Sequence, residues 1–344
     1  MVEKSSHRRS FLTTLGVTAL IPIAGCSSSD TTDDAGGTNP TETPTPSPTP
    51  SPNPTPTPSP TPNQQALDHY EQAIELLVEN KAQLDTWATD GFDGDSQTLE
   101  SLTDTIETAR TQLDEAEQHT DQASELIVRI NQARLVTVFQ ELNIVYYQGV
   151  QTFWQLVSDA RTLGNDQQHG RAAEKWGQAK QFLSDIRGVL DDMAAAHKDI
   201  DNDALNEPEL DYSGDLLNYI DLEDRRAVDA AEDYTTAYKQ ANLAFVQLEK
   251  GNAHYENKAY TKARSDWETG RSQLKAALSA FEQVVDNDQS PQDFHDDSLI
   301  QIGTVETLIE AFDKFVAGAK AAADGNPQKG NKLVGEGYEI LDQA

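Results

Sequence analysis

Residues 251–270 read GNAHYENKAYTKARSDWETG, and this segment decides the predicted fold. After the small residue Gly251, aromatic and small residues recur at intervals of three, four and three, at Tyr260, Ala263, Trp267 and Gly270. Positions three and four apart share one face of an α-helix. The segment therefore predicts the end of one helix, a turn, and a second helix that packs closely against the first.

The same alternation of small and large residues occurs in two further places. A shift of 91 residues aligns one earlier copy with residues 251–270, and a shift of 67 residues aligns a later copy. The small positions are Ala160, Ala172 and Ala179 in the earlier copy and Gly318, Gly330 and Gly337 in the later one. The large positions that correspond to Trp267 are Trp176 and Val334. Such internal periodicity predicts an array of similar units.

The pattern resembles the tetratricopeptide repeat, in which small residues let two helices approach while an aromatic side chain fills the gap. The resemblance covers about 34 residues well, the length of that repeat, and residues 160–341 more loosely. Gln247 and Lys275 stand where the family usually has Trp and Pro, the first helix begins too early, and the period is not constant. The resemblance implies antiparallel helical hairpins that present a concave surface to a protein or peptide.

From residue 64 onward the chain is predicted to be all-α. Breaks fall at 90–95, at the helix cap Thr120 or Asp121, at 164–166, in a long loop at 199–214, around Asn257, at 286–291 and at 324–327. These breaks give about eight helices in four antiparallel hairpins, arranged as a repeat array or an elongated bundle. The loop at 199–214 suggests a subdivision into 64–200 and 212–344.

The N-terminus carries two export motifs in order. Arg8 and Arg9 followed by Phe11 and Leu12 resemble the twin-arginine signal, with a histidine before the arginine pair and a threonine after Leu12 as departures. A short apolar stretch then ends in Ile-Ala-Gly-Cys26, which resembles a lipobox. The stretch is too short to span a bilayer as a helix. Residues 1–25 are therefore predicted to be a signal peptide and Cys26 the lipidated residue.

A tether is predicted to follow Cys26. Residues 26–63 are rich in Ser, Thr and Pro, and 11 of the chain's 15 prolines lie at 40–62. Proline fixes φ and removes hydrogen-bond donors, so this tract predicts an extended, disordered stalk. A diacylated cysteine would hold the chain at the membrane. The expected location is the extracellular face of the cell membrane, with membrane lipid as one partner.

The charge of the chain limits its function. The formal net charge is −32 at pH 7, which excludes a general nucleic-acid binder because such proteins present basic surfaces. The charge is consistent with an acidic surface that meets cationic partners or metal ions, or with carboxylates that keep the protein hydrated in concentrated salt. The second interpretation is favoured because the acids are spread along every segment. Together with the export motifs, this composition resembles haloarchaeal surface lipoproteins.

The strongest candidate for a metal site is an acidic loop. Asp199, Asp201 and Asp203 begin like an EF-hand loop, with Glu207 close by. The loop has alanine in place of the required glycine and leucine in place of the final glutamate. Weak cation binding and a merely solvated loop therefore remain alternatives. No cofactor is predicted, because the histidines have no zinc-protease spacing and no phosphate-binding loop occurs.

Three functions are consistent with the sequence. The first is a non-enzymatic surface module that binds a protein or peptide in an open groove lined with apolar and aromatic residues. Tyr146, Tyr147, Tyr234 and Tyr238 are candidates for that lining. The second is a solute- or cation-binding lipoprotein that serves a transporter or sensor. The third is an enzyme, which would require two buried carboxylates with shifted pKa values.

Overall fold

A computed structural model of the protein describes residues 61–90, 96–121, 124–212, 225–288 and 290–344. The predicted export residues Arg8, Arg9, Phe11 and Leu12 lie outside the described residues, as do Cys26 and nearly all of the predicted stalk. Among the described residues there is no β-strand, so the all-α prediction is confirmed. No helix in this part of the chain combines the length and apolar character needed to span a bilayer.

The described residues form eight long helices and one short helix. Their bounds are α1 Pro62–Asp90, α2 Ser96–Gln118, α3 Glu125–Asn165, α4 His169–Lys198, α5 Asn202–Leu205, α6 Arg225–Glu256, α7 Tyr260–Asp286, α8 Gln292–Ala323 and α9 Pro327–Leu341. Consecutive long helices pack against each other along the whole chain, and α6 also contacts α8. The long helices therefore form four antiparallel hairpins, α1–α2, α3–α4, α6–α7 and α8–α9, as predicted.

Two local details differ from the sequence prediction. Neither Thr120 nor Asp121 caps the third helix, because Ser124 holds that position and its hydroxyl accepts a hydrogen bond from the Leu126 N–H. A serine oxygen satisfies a backbone donor that the first turn of a helix leaves free. The predicted loop at 199–214 also contains α5 and a 3-10 turn at Pro208–Leu210.

Within each of the last two repeat hairpins, a glycine of the first helix receives a large side chain of the second. A Cβ atom on Gly251 would lie 2.8 Å from Cε2 of Trp267 and closer still to Nε1. A Cβ on Gly318 would lie 2.7 Å from Val334 and 2.9 Å from the Gly330 carbonyl oxygen. Only glycine allows this approach, since real Cβ atoms do not come so close to other heavy atoms.

The same device connects successive hairpins. A Cβ on Gly270 would collide with Phe312 of the next hairpin, and it would lie 3.2 Å from the Ala244 carbonyl oxygen. In the last hairpin, a Cβ on Gly337 would lie 2.6 Å from Phe315. The small positions predicted from the repeat are thus the places where backbones approach most closely. Ala172, Ala179 and Ala263 are fully buried, and Trp176 and Trp267 are at most 1% exposed.

The earliest repeat copy differs from the middle one at its first small position. It has Ala160 where the middle copy has Gly251. Trp267 donates a hydrogen bond from Nε1 to the Leu248 carbonyl oxygen at 3.4 Å, whereas Trp176 Nε1 has no hydrogen-bond partner among the described residues. The copy that has the extra methyl group of Ala160 therefore lacks the hydrogen bond that the Trp267 indole makes.

The helices on the two sides of the proposed subdivision pack together. Arg187 of α4 forms ion pairs with Asp229 and Glu232 of α6, the latter at 3.1 Å. Lys180 of α4 also lies 3.2 Å from Glu232. One continuous group of buried side chains runs from Tyr70 in α1 to Val334 in α9, because each hairpin buries apolar residues against the next.

Candidate functional site

The three repeat hairpins enclose a cleft between their first helices. It has a volume of about 510 Å³ and is lined by α3, α6 and α8, with contributions from α4 and the C-terminus. Its lining includes Arg161, Trp176, Tyr238, Asn242, Asp297 and Leu308. Helices α3 and α8 lie close together although α4, α6 and α7 separate them in sequence. The ring centroids of Trp154 in α3 and Phe294 in α8 are 5.5 Å apart.

A hydrogen-bonded chain of four side chains forms part of the cleft wall, with Arg161, Tyr238 and Asp297 in the lining and Tyr234 fully buried. Arg161 donates from its guanidinium to the Tyr234 hydroxyl. Tyr234 and Tyr238 both donate to Oδ2 of Asp297, at 2.5 and 2.6 Å. Arg161 itself lies 3.8 Å from the same oxygen. One carboxylate of α8 thereby holds two tyrosines of α6 and one arginine of α3 in place.

The two phenols remain protonated over the whole physiological range. Burial raises the pKa of Tyr234, against the lowering influence of the Arg161 charge, and the Asp297 charge raises it again. Burial likewise raises the pKa of Tyr238, and Tyr234 and Asp297 add to the effect. Low dielectric disfavours the phenolate, and a nearby carboxylate disfavours it further. Both hydroxyls therefore act as hydrogen-bond donors and not as bases.

Stacked rings surround this polar centre. Trp176 stacks on Tyr238 with ring centroids 4.7 Å apart, and Tyr234 stacks on Phe294 at 4.4 Å. At the other end of the cleft, the ring of His169 stacks on Phe245 at 4.6 Å. Trp176, Tyr234 and Phe294 are at most 1% exposed, so the partly exposed rings of the lining form its aromatic surface, those of His169, Tyr238 and Phe245. Rings held by stacking lose little conformational entropy when a ligand binds.

A second polar group lies at the His169 end. Asn242 is 9% exposed, and its side-chain N–H donates to the Tyr238 carbonyl oxygen at 2.9 Å. Nδ1 of His169 is 3.1 Å from the amide oxygen of Asn242. These contacts fix the orientation of the amide and of the imidazole. Among the side chains that line the cleft, Arg161 and Asp297 are the charged ones, so these side chains are neutral overall in a chain of net charge −32.

The four carboxylates predicted as a weak cation site have structural contacts or surroundings of their own. Asp201 caps α5 by accepting a hydrogen bond from the Ala204 N–H at 3.0 Å. Glu207 forms an ion pair with Arg129 of α3. Asp199 follows the last residue of α4, and Asp203 lies in the first turn of α5. Hydrogen bonds and packing hold this loop on α3, and cation binding there stays a prediction.

The buried side chains nearby show why the loop is ordered. Leu205, Leu210 and Tyr212 are at most 5% exposed, and the Tyr212 hydroxyl lies 2.9 Å from Nε2 of Gln140 in α3. The sequence interpretation gave weight to the acidic residues of this loop and not to its apolar ones. A loop that packs along a helix needs apolar residues on the side that faces the helix and polar residues on the side that faces water.

Sequence reasoning found part of the cleft. It named four tyrosines as candidates, of which Tyr238 lines the cleft, and it missed Arg161, Asn242 and Asp297. The other three, Tyr146, Tyr147 and Tyr234, are buried and lie outside the lining. A signal was present, since Asn242 falls four residues after Tyr238 on an otherwise apolar helix face. The pairing of Arg161 with Asp297 had no sequence signal, because the two residues are 136 positions apart and meet only through the array.

Comparison with known proteins yields no assignment. No protein-family model matches the chain, and no curated protein and no solved structure is significantly similar to it. The function therefore has to be argued from the site alone.

We expect Asp297→Ala to destabilise the protein by about 1–3 kcal/mol, because it leaves two phenols and Arg161 without their acceptor. Asp313→Ala is the matched control. Asp313 is also on α8 and also pairs with an arginine, Arg271, but its side chain is 54% exposed, so we expect its loss to cost about 1 kcal/mol or less. Urea unfolding followed by circular dichroism measures both. Equal costs for the two variants would contradict the described role of Asp297.

Proposed function

We propose that this chain is a non-enzymatic interaction module that binds a segment of a protein or peptide in the cleft between α3, α6 and α8. The observation that carries the proposal is an aromatic-walled cleft with a neutral set of side chains, in a chain whose net charge is −32. On a surface rich in carboxylates, a cleft with few charged side chains lets apolar side chains leave water at low electrostatic cost.

The size of the cleft supports binding of a short segment. Its volume of about 510 Å³ lies within the range of about 300–1,000 Å³ found for ligand sites. Val305, Leu308, Phe245 and Trp176 provide an apolar lining. An aromatic or aliphatic side chain of the partner would bury its surface against this lining, which stabilises the complex by roughly 25 cal/mol per Å² removed from water.

The polar centre would orient the partner. The Arg161 side chain is 41% exposed, and a guanidinium has five N–H donors. Its described contacts are those to Tyr234 and Asp297, so further donors remain for a carbonyl or carboxylate oxygen of the partner. Gln301 and Thr304 add amide and hydroxyl groups to the rim. An apolar anchor beside an oxygen acceptor is therefore the ligand chemistry that fits.

The enzymatic alternative requires two buried carboxylates with shifted pKa values, and the described residues give it less support than they give a binding role. No carboxylate is among the fully buried side chains of the described residues; the buried polar ones there are Asn80, Thr137, Gln140, His197, Thr235, Asn242 and Ser298. Asp297 accepts two phenol hydrogen bonds and faces a guanidinium, so neighbouring side chains already occupy its carboxylate.

We further propose that the module acts at the extracellular face of the cell membrane. The support is the order of the motifs in the sequence, Arg8-Arg9 first, then the lipobox that ends at Cys26, then the proline-rich stalk. Two acyl chains on Cys26 would suffice for stable anchoring. The stalk would hold the folded helices away from the membrane, where a partner can reach the cleft.

A blocking substitution tests the proposed cleft. Peptides selected for binding to the full chain are titrated against the unchanged protein, Thr304→Trp and Thr307→Trp. Thr304 lines the cleft, whereas Thr307 is on the same helix outside the lining. Because an indole at residue 304 would occupy the cleft, we expect at least a tenfold loss of affinity for Thr304→Trp and no loss for Thr307→Trp, which is about 1.4 kcal/mol of discrimination. Peptides whose affinity is unaffected by Thr304→Trp would sink the proposal.

The membrane anchor is tested by Cys26→Ser in cells that export the protein. We expect the unchanged protein in the membrane fraction with the mass of a diacylated chain, and the variant in the medium without it, because serine cannot form the thioether. Immunoblotting of the fractions and mass spectrometry measure the two outcomes. Membrane retention of Cys26→Ser would show that another segment anchors the chain.

A further inference from the structure

Two histidines and a glutamate converge at one end of the first hairpin. One ligand atom from each of His69, Glu115 and His119 lies within 4.8 Å of the other two. Of the described residues, these are the only three His, Cys, Asp or Glu side chains that meet this condition. All three are half-buried, so they are held by their surroundings but remain accessible to an ion.

The hairpin geometry explains why these residues meet. His69 is in the second turn of α1, and Glu115 is in the last turn of α2. His119 follows Glu115 by four residues, which places both on one face of the helix end. Since α1 and α2 run antiparallel and pack against each other, the start of α1 lies beside the end of α2. The sequence search missed the cluster because its spacing resembles no known ligand motif.

A neighbouring amide selects the form of His69 that binds a metal. Nδ1 of His69 lies 2.7 Å from Oε1 of Gln112, one turn before Glu115. An amide oxygen accepts and does not donate, so the proton of a neutral His69 is on Nδ1 and Nε2 keeps its lone pair. Metal-binding histidines generally donate their other ring N–H to an oxygen in this way.

Glu115 differs from the carboxylates beside it. Asp114 and Glu117 both pair with Arg134 of α3, at 2.6 Å each. Glu115 has neither an ion pair nor a side-chain hydrogen bond among the described residues, and it points to the two imidazoles instead. The stacked rings of His69 and His119 are nearly parallel, with centroids 6.1 Å apart. The cluster therefore contains two nitrogen ligands and one anionic oxygen ligand without a competing cation.

We propose that His69, Glu115 and His119 bind a divalent transition-metal ion of the zinc class, with water in the fourth position. Two imidazoles suit zinc, copper or nickel and do not suit calcium or magnesium, which prefer oxygen ligands. With bonds of about 2.0–2.1 Å, a tetrahedral zinc holds its ligand atoms roughly 3.4 Å apart. Rotamer adjustments at the helix ends bring atoms now within 4.8 Å to that spacing.

The proposed metal site is independent of the proposed cleft. It is on α1 and α2, and it shares no residue with the cleft lining on α3, α4, α6 and α8. It is also distinct from the acidic loop at Asp199–Glu207, which offers only oxygen ligands. Binding of a peptide in the cleft and binding of a metal by this cluster can therefore succeed or fail separately.

Metal titration of the full chain tests the proposal. After treatment with a chelator, the protein is titrated with Zn²⁺ by calorimetry in concentrated salt, and with Co²⁺ by visible absorption, which reports tetrahedral coordination. We expect one site per chain, an affinity reduced at least about 100-fold by His69→Ala or His119→Ala, and a reduction of about tenfold for Gln112→Ala, because outer-shell changes alone cost about 10–100-fold. The matched control is His295→Ala, since His295 contacts one carboxylate, Asp296, and no third ligand.

Two further measurements keep the result decisive. Circular dichroism shows whether each variant keeps its helical content, and Glu115→Gln, which preserves the shape of the side chain, tests the site if an alanine variant fails to fold. We expect Glu115→Gln to weaken zinc binding as well. The proposal is overturned if His69→Ala and His119→Ala bind Zn²⁺ like the unchanged chain, if His295→Ala weakens binding equally, or if the chain binds Ca²⁺ but no Zn²⁺.

Discussion

The contact between the Trp267 ring and the backbone at Gly251 is the interaction on which the spacing of the paired helices depends. Any side chain at residue 251 would collide with the Trp267 indole. The indole in turn fills the space that glycine leaves open. A similar contact, with a smaller side chain, joins Val334 to Gly318. The contact of Phe312 with Gly270 joins the last hairpin to the one before it. Because backbone and rigid rings form these contacts, the spacing between helices is fixed within narrow limits.

The cleft is a consequence of that spacing. Each hairpin contributes its first helix to one side of the array, so α3, α6 and α8 come to lie around a common space. Arg161, Tyr234 and Asp297 belong to three different hairpins, and their hydrogen bonds form only if all three hairpins are in register. The apolar packing therefore brings the polar side chains together. Their hydrogen bonds in turn stabilise this arrangement of the helices over others. The first hairpin adds the separate histidine cluster by the same logic, since antiparallel packing brings the start of α1 to the end of α2.

Much of the fold could be predicted because helix formation leaves a periodic signal. The three- and four-residue spacing of Ala263, Trp267 and Gly270 gave both the helix and the face that packs. The third helix start was wrong, since serine, threonine and aspartate all cap helices and three of them stand close together at 120–124. The cleft was predicted only in kind, as a groove with aromatic residues. Its charged members were not found, because a contact between α3 and α8 depends on the rotation of each helix in the array, which composition does not encode. His69, Glu115 and His119 were missed because their spacing resembles no known ligand motif.

The central claim is that contact of Trp267 with Gly251 sets the helix spacing, and a double-mutant cycle tests it most directly. The free energy of unfolding is measured for the unchanged chain, Gly251→Ala, Trp267→Leu and the double variant, with Gly303→Ala as control because a Cβ there meets no atom within 4 Å. The account predicts that Gly251→Ala costs about 1–3 kcal/mol when Trp267 is present, as overpacking does. In the Trp267→Leu background the same change is predicted to be neutral or stabilising by about 0.5–1 kcal/mol, as Gly303→Ala is, since alanine favours the helix. An equal cost of Gly251→Ala in both backgrounds would contradict the account.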